Sequence, residues 1–247
     1  MSDSDLKTLD KITIEKINKF RKNLAYLYRI SRLKNSNFTI ICNNCCGSFM
    51  YQSLGLIKDS PTCDMYISDY HYIDFCRNLK EYLSLPIDDP TEEELKKYPN
   101  CKAPIGMLRG KNGLRTIGLI FTHYKTLDDA REKWYRRSAR VNYDNLFFIL
   151  DCGMRGDKKV LDEFEKLPYE NKVIFTHLKD YDRWKDTFKF SCFKEGYKQG
   201  QHLNDVSSGL FIFKGLDEFD YVRWLNKEAV LRKGKLVKRK HNKGETT

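Results

Sequence analysis

The chain is organised around Phe38 to Gly55. A β-branched apolar run, Thr39-Ile40-Ile41, breaks at Asn43-Asn44-Cys45-Cys46-Gly47-Ser48 and resumes as a helix-compatible segment from Phe49. A strand, a short polar turn and a helix form the first half of a βαβ unit. In such a unit the turn lies at the carboxyl edge of the sheet, and the new helix aims free N–H groups at whatever binds there. Anions, phosphates above all, are favoured at that place. The turn holds one glycine, so it is neither a dinucleotide fingerprint nor a Walker loop. Asn43, Asn44, Cys45, Gly47 and Ser48 are thus candidate phosphate or donor contacts, with a tight turn of packed cysteines as the alternative.

Similar junctions recur. Met65-Tyr66-Ile67 predicts a short strand followed by a helix over Tyr70 to Leu83, with Asp69 and His71 at the junction. A second parallel strand there would set this junction beside the first. Pro86, Pro90, Pro99 and Pro104 mark 86–104 as loop, relieved by a capping box at Thr91-x-x-Glu94, and Gly106, Gly110 and Gly113 flank a turn. Strands follow at Thr116–Phe121, Asn145–Asp151, Lys172–Phe175, Phe188–Phe193 and Gly209–Phe213, with helices opening at Thr126, Lys158, Tyr181 and Glu218. This alternation predicts an α/β fold with a mainly parallel sheet. Three parts emerge: an N-terminal helical segment at 1–35, an α/β domain at 36–227 and a basic tail at 228–247.

No apolar run reaches the ~18 residues of a membrane-spanning helix. The start, Met1-Ser2-Asp3-Ser4-Asp5, lacks the basic-then-apolar pattern of a secretory signal, so a cytoplasmic setting is expected. The formal charge is +11, but Arg232 to Thr247 holds seven Lys/Arg against one Glu, and without it the charge falls to +5. The tail suits a solvated end, a contact with anionic headgroups, or a nucleic-acid contact, though no nucleic-acid-binding motif is present and no nucleic-acid partner is expected. Ile17, Phe20, Leu24, Leu27 and Ile30 recur at helical spacing between lysines and arginines. Such a helix packs on the domain or rests on an inner membrane leaflet, a peripheral contact. Cys42-x-x-Cys45 has no second CxxC, and Cys42, Cys76 and Cys192 suit small core positions. Neither a metal nor a cofactor is expected, since no HxxxH pattern supplies converging ligands.

A second informative stretch is Ile120 to Asn145. His123 follows a strand, where catalytic side chains sit in open α/β sheets. Arg136, Arg137 and Arg140 share a helix, and guanidiniums on one face suit a phosphate or diphosphate; the alternative is a solvated basic face. Trp134 is a core residue or a sugar-stacking one, and Asn142 and Asn145 are turn residues or sugar-hydroxyl partners. His177 repeats the Phe-Thr-His sequence of residues 121–123, and Asp180 follows it closely. Either histidine has the intrinsic pKa to take a proton from a hydroxyl near neutral pH. His123, His177 and Asp69 are the catalytic candidates; Trp134, Asn142, Asn145 and His71 are the substrate-binding ones. His202 and Asp205 lie in a Gly-flanked polar loop.

Asn43-Asn44-Cys45-x-Gly47, Tyr51-Gln52-x-Leu54-Gly55-Leu56, Ser60-Pro61-Thr62, and later His123-Tyr124, Ala130, Lys133-Trp134, Arg137, Arg140 and Asn142 together resemble a bacterial family commonly labelled exopolysaccharide (capsular polysaccharide) biosynthesis proteins. The resemblance covers about residues 36 to 225. It implies a role in cell-surface polysaccharide assembly and a Rossmann-like three-layer fold. The expected activity is glycosyl transfer from a nucleotide-sugar or other phosphate-activated donor to a glycan acceptor, including one on a lipid carrier. Acyl transfer from an acyl-coenzyme A, or a non-catalytic module that binds a glycan or a pathway enzyme with Trp134, Trp184 and Trp224 as a stacking surface, are the alternatives.

Overall fold

The computed structural model describes residues 3–153, 156–176, 178, 181–190, 215–228, 231–232 and 235–236. His177, Asp180, Cys192, His202, Asp205 and the strand expected at 209–213 lie outside them. The elements run α1 (Asp3–Arg32), β1 (Thr39–Cys42), α2 (Cys46–Ser53), β2 (Tyr66–Ile67), α3 (Asp69–Arg77), α4 (Leu79–Ser84), β3 (Ile87–Asp88), α5 (Glu92–Leu95), β4 (Ile105–Leu108), β5 (Ile117–Ile120), α6 (Leu127–Ser138), β6 (Leu146–Gly153), α7 (Lys158–Glu165), β7 (Lys172–Thr176), β8 (Thr187–Phe188), α8 (Tyr221–Leu225), β9 (Leu231–Arg232) and β10 (Lys235–Leu236).

Two four-stranded sheets carry the molecule, and β9 and β10 form a separate antiparallel pair. The first sheet has the order β1-β6-β7-β8 and is parallel throughout. Its strands are apolar on both faces, as a doubly covered parallel sheet requires. Ile40, Cys42, Phe147, Ile149, Val173 and Phe175 face a core shared with α2 and α8. Ile41, Phe148, Leu150 and Ile174 face the other core, shared with α3, α4, α6 and α7.

The second sheet has the order β2-β5-β4-β3, and every pairing in it is antiparallel. This corrects the expected mainly parallel sheet. Residues 65–67 do not form a second parallel strand: β2 pairs antiparallel with β5. β3 and β4 arise within the stretch expected to be loop and turn. Two-residue strands have no period by which to be recognised, and Gly106 looks like a turn residue when it is a strand residue. A Cβ on Gly106 would collide with Ile87 Cγ2, and one on Gly118 with the Tyr98 hydroxyl. Both glycines therefore serve close packing on the sheet.

The helix caps follow local chemistry. Thr91 and Glu94 close the capping box on α5, and Thr126 accepts from the Asp129 amide to start α6. The helix expected over 70–83 is split, because Asn78 leaves helical geometry at φ −125° and ψ 46°. Among the described residues no helix is long and apolar enough to cross a membrane.

Candidate functional site

β1 and β6 lie side by side, so their carboxyl ends bring Asn43, Asn44 and Asp151 together. All three are buried, and an amide or carboxyl survives burial only when its hydrogen bonds are made. Asn43 donates through Nδ2 to Asp69 Oδ1 and to the Asp151 carbonyl, each at 3.0 Å, and accepts from the Asp151 amide at 2.9 Å. Asn44 Nδ2 donates to Asp151 Oδ2 at 2.8 Å. Asn44 Oδ1 accepts from the Cys46 amide at 3.0 Å, which ties the first turn of α2 to the network. A register irregularity between Asp151 and Gly153 interrupts the β6–β7 ladder at this edge, the setting in which a bulge re-aims a side chain. The Ile67 amide donates to the Asn43 carbonyl at 2.9 Å, so β2 docks on the turn directly and delivers Asp69.

A second polar cluster lies next to it and is open. Asp64 sits in the left-handed region at φ +66°, a conformation that a short polar side chain tolerates. Its amide donates to Ser48 Oγ at 2.7 Å. Its carbonyl accepts from Thr122 Oγ1 at 3.1 Å and from the His123 amide at 3.3 Å. Its carboxylate pairs with Lys58 Nζ at 2.7 Å and with Arg137 Nη2 at 3.5 Å. Burial pushes this carboxyl up, but Lys58, then Arg137 and Ser48, pull it further down, and it ends below the ordinary carboxylate value. Two cations on one carboxylate leave the cluster with a net positive charge.

Cys45, Ser48, Phe49 and Gln52 recur at helical spacing along one face of α2, and with Lys58, Asp64 and His123 they line a cavity of about 310 Å³. The Cys45 side chain makes no cap bond to α2, and the first amide of the helix goes to Asn44 Oδ1. Burial raises the Cys45 thiol pKa, against the opposing effect of its hydrogen bond with Thr122, so Cys45 is a poor nucleophile. A larger cavity of about 450 Å³ continues along the same helix, sharing Phe49 and Gln52 and bordered by Tyr26, Arg29, Asp217 and Tyr221. The pair of cavities offers a cationic end, a histidine, and an aromatic trough with hydroxyl partners.

The sequence candidates divide on this map. Cys45, Ser48 and His123 line the smaller cavity, and Asp69 joins the buried edge network. Asn43 and Asn44 turn inward to Asp69 and Asp151 and leave the cavity wall to their neighbours. Gly47 faces the sheet, where an added Cβ would stand 3.2 Å from Ile40 Cγ2. Arg137 is only 7% exposed and donates to the Cys63 carbonyl and the Tyr124 hydroxyl as well as to Asp64. Arg140 pairs with Asp59 at 2.6 Å. The expected two-guanidinium clamp is therefore corrected: each arginine already has a carboxylate partner, and they hold different ones.

Trp134 packs against Phe75 in the core, and Trp184 and Trp224 are buried as well, so the expected stacking surface of three indoles is also corrected. Asn142 and Asn145 precede β6 and bond to Asn35 and Asn37 at the amino end of the sheet, away from the site. His71 lies on α3 with Nδ1 buried and without a hydrogen-bond partner among the described residues, and burial followed by Arg115 lowers its pKa. His177 lies outside the described residues.

Three site residues escaped the sequence reading. Asp151 was visible only as the polar end of an apolar strand, Leu146 to Asp151, and a carboxylate closing such a strand is the signal that could have found it. Asp64 and Lys58 lie in a loop whose geometry depends on α2 and β5, and no spacing rule joins them to His123.

These features define an α/β protein whose polar site sits at the carboxyl edge of a parallel sheet, roofed by an antiparallel insertion. Over residues 15–226 the chain matches the model of a family described as a domain of unknown function, DUF1919, and it belongs to that family. An uncharacterized protein of Haemophilus influenzae (strain ATCC 51907 / DSM 11121 / KW20 / Rd) is 32% identical over 197 residues, covering 79% of this chain and 87% of that protein.

Proposed function

We propose that this chain is a transferase of cell-surface polysaccharide assembly that moves a sugar from a phosphate-activated donor to a glycan hydroxyl. The observation that carries the reading is the convergence of His123, Lys58 and Ser48 on one cavity. The donor phosphate takes its place against Lys58, where one carboxylate leaves two cations under-neutralised. His123 removes the proton of the attacking hydroxyl. The acceptor lies along the larger cavity, where Tyr26, Phe49 and Tyr221 offer ring faces and Gln52, Ser53 and Asp217 offer hydroxyl partners. Arg137 positions Asp64 from behind. The process follows from the sequence resemblance, and two cores on opposite faces of the parallel sheet support a Rossmann-like three-layer reading.

A thermal-shift screen with nucleotide-sugars, nucleotides and coenzyme A derivatives tests this. Stabilisation by nucleotide-sugars at about 100 times Kd corresponds to about 2.7 kcal/mol, or a rise of about 5–10 °C in a chain of this size. A response to acyl-coenzyme A alone would move the reading to acyl transfer. No response to any phosphate-bearing compound would end it.

A further inference from the structure

α1 is amphipathic the wrong way round for a helix that serves only its own domain. Ala25 is buried, Arg29 pairs with Asp217 at 2.8 Å, and Arg32 pairs with Asp220 at 2.6 Å. Asn226 Nδ2 donates to the Arg32 carbonyl at 2.8 Å. The inward face of α1 is thus small and basic, and α8 with its flanking acids receives it. At 3.6 residues per turn, Phe20 and Leu27 fall on the opposite face and Ile17 and Leu24 on the flank next to them, so the four make one stripe. That face is in solvent: Phe20 is 68% exposed and Leu27 is 55% exposed. Lys16 and Lys19, both exposed, border the stripe.

A contiguous apolar stripe of this kind on a helix marks a docking surface. Two occupants suit its shape, a lipid surface and the same stripe of a second copy. Charge decides between them. Pairing two copies would bring Lys16 and Lys19 against a second basic helix, which costs free energy. An anionic headgroup layer accepts the apolar side chains and attracts the bordering lysines together.

We propose that the outward face of α1 is a docking surface for anionic lipid bilayers. Phe20, Leu24 and Leu27 enter the acyl boundary and the lysines meet the headgroups. The inward face of the same helix, with Lys22, Tyr26 and Arg29, borders the larger cavity, so docking sets that cavity beside the membrane plane. This surface stands apart from the transfer chemistry and survives its failure.

Co-sedimentation of the full chain with vesicles tests it, comparing phosphatidylglycerol mixed into phosphatidylcholine with phosphatidylcholine alone. The expected result is pelleting with the anionic vesicles only. It should weaken more than about tenfold in the double variant Phe20→Glu, Leu24→Glu, because both side chains would lose burial in the bilayer. Both positions are exposed, so the variant keeps the parent melting temperature, and Tyr135→Glu, an exposed aromatic on α6, keeps vesicle binding. Equal pelleting with neutral vesicles, or undiminished pelleting of the double variant, would overturn the proposal. So would sedimentation equilibrium showing a dimer that the double variant abolishes, with no vesicle binding by the parent chain.

Discussion

Two polar clusters stand side by side at the edge of the parallel sheet, and they have opposite characters. The Asn43–Asn44–Asp151 cluster is closed: its members are buried and spend their amide and carboxyl groups on one another. The Asp64 cluster is open: its carboxylate holds two cations, and its neighbours line a cavity. A saturated buried network fixes a conformation, whereas an under-neutralised cluster at a cavity can still gain a partner. The difference assigns stability to the first and ligand binding to the second, and substitutions can break that assignment.

The largest effect is expected from Asp151→Ala. It strips a partner from Asn44 in a water-free place, at a cost of about 3 kcal/mol. Urea unfolding should show this, and a loss below about 1 kcal/mol would mean that the closed cluster is not the pillar described. Asp64→Ala leaves Lys58 and the buried Arg137 without their shared carboxylate, and about 2 kcal/mol is expected. Asp64→Gly should recover about 1 kcal/mol of this, because glycine accepts φ +66° without strain. Equal losses for the two variants would show that backbone strain plays no part.

A smaller stability effect, below about 1 kcal/mol, is expected for Lys58→Ala, since this pair is partly exposed. The same variant should lose most donor binding. The acid limb of stability sharpens the comparison. The Asp64 carboxyl ionises below its unfolded value, so the folded state favours its charged form. Its contribution is complete above the unfolded pKa and fades as pH falls through the lower folded one. Parent and Asp64→Ala should therefore converge in stability as the medium is acidified, and a constant gap would contradict the pairing.

The closed cluster was half legible in the sequence. The strand-turn-helix at 39–53 can be read from β-branched residues and a glycine, and the sequence sets the Asp69 junction beside the first without foretelling the Asn43–Asp69 bond. The route was misjudged, because a two-residue strand such as β2 carries no sign of its direction. The open cluster was less legible. His123 could be found as a strand-end histidine, but Lys58 and Asp64 reach it through a loop held by the bonds of Asp64 to Ser48, Thr122 and the His123 amide. The arginines show the limit most plainly: Arg137 and Arg140 are three apart, yet one is buried on Asp64 and the other lies outside on Asp59. Helical spacing gives a face, not a partner.

Calorimetric titration of a nucleotide-sugar donor into the parent chain, Lys58→Ala and His123→Ala, followed by a transfer assay on each, tests the central claim most directly. Binding should weaken at least about tenfold in Lys58→Ala, the loss of one charge-assisted contact. In His123→Ala binding should stay near the parent value while turnover is lost. Parent-like binding and turnover in both variants would contradict it.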